Sequence, residues 1–166
     1  MTIPNSITYR LLALMVVISP IYGCGNGGHQ EKHGQWLVGT DDEKFRETEK
    51  QFRGFDVAMF EMSYRYQELY WAGTDGNWEY ADHQVEHMEV VLRNAMERRR
   101  KRSASAEEFI AHGLTPMGAT IAKKDSAGFG AAFLTMTSAC NKCHAREDHG
   151  FVNVKPPTLR TSLVTR

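Results

Sequence analysis

Cys140, Cys143 and His144 are the residues of this chain whose types and spacing could do chemistry. They form a C-x-x-C-H run, Cys140-Asn141-Lys142-Cys143-His144, near the C-terminus. Two thiols three residues apart lie on nearly the same side of a helix, where both can form thioethers to the vinyl groups along one edge of a haem. The next residue then carries its imidazole beneath the iron, the place of a proximal ligand. The spacing predicts one covalent haem c, anchored at Cys140 and Cys143 and ligated by His144. Two other chemistries use similar residues. A thioredoxin-like dithiol requires a strand-helix-strand context, and no strand pattern precedes the motif. A zinc site through Cys140, Cys143 and His144 needs a fourth donor, for which only His149 lies close downstream.

The elements that must position this motif are helical. Thr40-Asp41-Asp42-Glu43 fits a capping box. The helix it opens carries Phe45, Phe52, Met59 and Tyr66 in one heptad lane and Thr48, Phe55, Met62 and Leu69 in the next. It is expected to run unbroken to Gly73. Asn77 caps a second helix with the lanes Trp78, Val85, Leu92 and Ala81, Met88, Ala95, ending in the basic run Arg98–Arg102. That run complements the helix dipole, or docks an acidic redox partner. Ser105-Ala106-Glu107-Glu108 reads as a second capping box, and Pro116 predicts a break near Gly113 with a restart at Thr115. Asp125 caps a last helix with Phe129, Phe133, Met136, Cys140 and Cys143 on one face. After Glu147 the chain leaves the helix, and residues 151–157 read as an extended tail over the surface. The expected fold is all-α: an antiparallel up-down-up-down four-helix bundle.

The N-terminus reads as an export signal. Arg10 precedes the apolar run Leu11 to Ile18, which is too short to span a bilayer but suits a secretory leader. Ile21-Tyr22-Gly23-Cys24 resembles a bacterial lipobox, which makes Cys24 the site of lipidation; ordinary cleavage near Gly23 would leave it free. The domain organisation follows: residues 1–23 a lipoprotein signal peptide, 24–39 a Gly-rich tether, 40–157 the cytochrome domain and 158–166 a tail. The expected location is the periplasm of a Gram-negative bacterium, anchored to a membrane. The 20 basic and 20 acidic residues balance, so nothing in the charge suggests a nucleic-acid partner.

These residues resemble exported c-type cytochromes with the cytochrome c′ type of four-helix bundle, whose haem motif ends the last helix. A group of small, often lipid-anchored bacterial cytochromes in that superfamily is more similar still. The likeness rests on Leu69-Tyr70-Trp71-Ala72-Gly73, Asn77-Trp78, Ala139 to His144, Gly150-Phe151-Val152 and Pro156. It covers roughly residues 45–157. Tyr66 stands where that group often has a histidine. The resemblance implies electron transfer or gas binding, and its c′ members often pair through helices one and two, which admits a homodimer.

What faces His144 across the ring decides between those functions. A Met thioether gives the six-coordinate iron of an electron carrier, whereas an apolar residue leaves an open site for nitric oxide or carbon monoxide. In Met-ligated bundle cytochromes the Met sits about three turns before the end of helix one. With that end near Trp71, the count selects Met59, with Met62 as the alternative and Phe52 and Phe55 facing an open site. Met88 is a weaker candidate; His83, His87 and His112 read as partly exposed helix residues. Phe55, Tyr66, Trp78, Phe133 and Met136 are expected to line the ring and exclude water, and ordinary core packing explains them equally well. The expected protein is not an enzyme, and its expected partners are periplasmic or membrane redox proteins.

Overall fold

Thr40 and Glu43 begin the fold, as their spacing predicts. Glu43 N–H donates to Thr40 Oγ1 at 3.3 Å and Thr40 N–H to Glu43 Oε2 at 2.7 Å, so both ends of a capping box are made. The computed structural model describes residues 36–164. The leader, Cys24, most of the tether and the last two residues lie outside the described residues.

Helix α1 (Asp41–Gln51) buries none of its side chains. Here the sequence expectation needs correcting, because the first helix is two. Arg53 turns into the left-handed region (φ 47°), and α2 (Phe55–Thr74) starts afresh. Asp56 holds the break: its carboxylate accepts from Gly54 N–H at 3.0 Å and pairs with the Arg53 guanidinium. The Gly54 N–H holds the Asp56 carboxyl below its ordinary range. The heptad lanes therefore pack only from Phe55 onward; Phe45 and Phe52 are exposed.

Gly73 does not stop α2, which continues to Thr74. It serves as a contact point, since a Cβ there would lie 2.0 Å from the Phe129 ring. Gly73→Ala should therefore cost roughly 1–3 kcal/mol through overpacking, read as a lower urea midpoint at unchanged m-value. The chain instead turns at Gly76 (φ 67°), and Asn77 Oδ1 accepts from Tyr80 N–H at 3.3 Å to cap α3 (Trp78–Arg98). Both expected lanes of α3 face inward at Ala81, Val85, Met88, Leu92 and Ala95.

The basic run ends α3 and forms a single 3₁₀ turn (Arg100–Arg102). The next helix, α4 (Ser103–Phe109), starts two residues before the expected cap. Ser105 makes no capping box because its hydroxyl is used elsewhere, donating to Glu147 Oε1 at 2.5 Å. Nor does Pro116 break the chain. A π-helical turn (Ile110–Leu114) leads straight into α5 (Thr115–Ala122), and the Thr115 hydroxyl donates to the Ile110 carbonyl at 3.0 Å. The wider turn absorbs the missing proline N–H. Gly113 lies against the last helix there: a Cβ would meet Ala139 Cβ at 3.2 Å.

Asp125 Oδ1 accepts from Gly128 N–H at 2.9 Å and caps α6 (Ser126–Arg146), the helix that carries the motif. Among the described residues every regular element is helical, and none is long and apolar enough to cross a membrane. Four helical arms (α2, α3, α4 with α5, and α6) pack around one apolar core.

Candidate functional site

The last two turns of α6 bring the motif residues together. Cys140 and Cys143 are both free thiols, and with His144 they line a cavity of about 930 Å³. That is near the top of the ~300–1,000 Å³ range of ligand pockets. Helix α2 contributes Phe55, Met59, Met62 and Tyr66 to the wall, and α3 contributes Met88 and Leu92. Two salt bridges to Glu108, from Lys142 at 2.6 Å and from Arg146, fix the outer side of this helix end on α4.

Trp78, Phe133 and Met136 do not line the cavity. Met136 is fully buried in the core and Phe133 backs Tyr66 of the wall at 4.7 Å, whereas Trp78 meets Phe129, the ring against Gly73, at 6.1 Å between ring centroids. Their apolar periodicity signals burial, and burial alone does not distinguish a cavity wall from the core that supports it.

The segment after α6 is part of the site. Asp148 adopts a left-handed conformation (φ 61°) and turns the chain back, so that Val152 and residues 154–159 line the cavity. The surface tail expected from sequence is a wall. Val152 O lies 3.0 Å from His144 Nδ1. A carbonyl can only accept, so this bond places the proton on Nδ1 and leaves the Nε2 lone pair as the ring's donor. Beyond the wall, Arg160 stacks over Trp71 at 4.8 Å and pairs with Asp75 at 2.6 Å, tying the tail to the end of α2.

Apolar surroundings set the chemistry of the thiols. Burial pushes Cys140 up to about 12 and raises Cys143 as well. At neutral pH a thiol near 12 is ionised only about once in 10⁵ molecules, the opposite of a poised redox cysteine. Charge gathers elsewhere on the wall. Glu147 pairs with Arg102 at 3.2 Å, and Arg102 lies over the Phe55 ring at 5.9 Å. Arg99 and Lys155 also line the cavity, without a carboxylate partner among the described residues. The residues present fit a covalently held haem: paired thiols and an oriented imidazole, an apolar wall, and cations to meet two propionates. Arg99, Arg102 and Lys155 could not be assigned from sequence, because only the returning segment shows which side of the basic run faces inward.

Tyr66 closes the wall from α2. Thr137 spends its hydroxyl proton on the Phe133 carbonyl at 2.8 Å, so Tyr66 O–H donates to Thr137 Oγ1 at 2.7 Å. Burial pushes the Tyr66 phenol up to about 12. Since the folded state holds this proton more tightly than the unfolded chain, its contribution is complete below pH ~10 and lost as pH rises towards 12. Tyr66→Phe should flatten that alkaline limb of a stability–pH profile, while costing about 1 kcal/mol at neutral pH.

No family model, curated protein or solved structure matches this chain.

Proposed function

We propose that this chain is a monohaem c-type cytochrome that carries electrons in the periplasm, tethered to a membrane through lipid at Cys24. In this reading its arms form an up-down-up-down bundle of the cytochrome c′ type. What carries the proposal is one juxtaposition: both motif thiols and the Nε2-donating His144 line a single large apolar cavity. Once bound, haem c supplies one-electron chemistry at iron. Cys140 and Cys143 would hold it, His144 would supply a ligand to iron through Nε2, and the walls from α2, α3 and the C-terminal segment would shield it from water. A dry site disfavours the extra charge of the ferric state and raises the potential. Its partners would be redox proteins of the periplasm or membrane.

The thioethers of Met59 and Met62 both line the cavity. Helix α2 ends at Thr74, three residues beyond the end expected near Trp71. Three turns back from Thr74, about 11 residues, reach Ser63, and Met62 is the methionine beside it. Met62 is also the more buried of the two, so we name it first as the sixth ligand and Met59 second. A second reading, a five-coordinate binder of nitric oxide or carbon monoxide, draws on Phe55 and Phe109, which line the same cavity. The absorption spectrum of the purified ferrous protein, with and without carbon monoxide, decides. Low-spin bands unchanged by the gas are the expected result. A rapid shift would replace the carrier with the gas binder, and absence of a Soret band would refute both.

A further inference from the structure

The two residues between the motif cysteines face different ways. Lys142 turns outward to Glu108. Asn141 turns to the C-terminal segment and grips one residue of it twice: its Nδ2 donates to Val154 O at 3.0 Å, and Val154 N–H donates to its Oδ1 at 2.7 Å. The side-chain amide thus meets Val154 as a neighbouring strand would. Among the described residues no other side chain hydrogen-bonds the stretch 153–159. Pro156 and Pro157 stiffen that stretch and offer no N–H of their own.

The register of this grip matters because of what lies two residues upstream. Val152 N–H donates to His149 O at 2.8 Å, which ties it to the turn after α6, and only Asn153 separates it from Val154, so the two-point grip on Val154 limits how far the Val152 carbonyl can swing. Val152 O is the acceptor for His144 Nδ1. We propose that Asn141 is the latch of a C-terminal strap, a positioning residue that holds the Val152 carbonyl against His144 and so sets the tautomer and direction of the proximal imidazole. This inference rests on the reading of His144 as an axial ligand. Outer hydrogen bonds of this kind orient a ligating imidazole and raise its basicity. Asparagine suits the task because a carboxamide carries donor and acceptor together. Aspartate offers only acceptors and would set a carboxylate against Val154 O.

The test is solvent exchange in ¹⁵N-labelled ferrous holoprotein, read by NMR at the Val154 amide and at the His144 Nδ1 proton. Asn141→Ala should speed exchange at both sites by about tenfold or more, as expected when two hydrogen bonds are lost. Asn141→Asp, which keeps the volume, should fail to restore the native rates and serves as the reading if the alanine variant does not fold. Lys142→Ala should leave both sites as in the wild type. Exchange within twofold of wild type in Asn141→Ala, or full protection in Asn141→Asp, would overturn the latch while the pigment stays attached. A wild-type chain without haem would instead overturn the functional reading, and this inference with it.

Discussion

Met62→Leu in the holoprotein should turn a low-spin spectrum high-spin, lower the midpoint potential and admit carbon monoxide. The leucine nearly conserves volume, so the packing cost should stay below about 1.5 kcal/mol and the spectral change can be read as loss of the sulfur. Met62 is 7 % exposed, and truncation to alanine would add a cavity cost of about 2–5 kcal/mol that confuses the comparison. A thioether favours the ferrous state, and axial ligands command a span of about 0.8 V. A fall on the order of 0.1 V or more is therefore the expected scale. Met59→Leu is the control and should leave the spectrum low-spin. If the change appears there instead, the ligand lies one turn earlier, and the count from the end of α2 was misleading. If neither variant changes the spectrum, the sixth position is not held by a thioether of α2.

Cys140→Ala combined with Cys143→Ala should abolish covalent attachment and weaken the fold. The cavity of about 930 Å³ is enclosed in part by a strap held through a few hydrogen bonds. A covalent haem stays on the unfolded chain too, so it stabilises the fold by burying its ring in the cavity, on the order of 4 kcal/mol for each ~160 Å² of apolar surface removed from water. For a chain of this size that corresponds to a melting temperature lower by about 10 °C or more. A double variant that melts with the wild type would show that the cavity needs no occupant to be stable.

The motif and the helix caps were legible because each is a local pattern. Thr40, Asn77 and Asp125 cap where their types and spacing place them, and the lanes of α3 face inward as their heptads require. What escaped sequence reasoning depends on distant partners. Phe45 and Phe52 continue a heptad register into α1, yet the chain breaks at Arg53 because Asp56 draws off both Gly54 N–H and the Arg53 guanidinium. Ser105 carries a capping-box pattern, but Glu147, far along the chain, takes its hydroxyl. Gly73 looks like a helix stop and is instead where the Phe129 ring approaches. The strap escaped for a similar reason: its bonds run backwards to Asn141 and His144, and the segment itself carries no periodic signal.

Acid-acetone extraction of the mature protein, made in a host that attaches c-type haem, tests the central claim most directly. Colour should remain in the protein pellet, with a pyridine haemochrome spectrum for two saturated vinyl groups and one haem per chain. A colourless chain, or pigment that passes into the acetone, would contradict it.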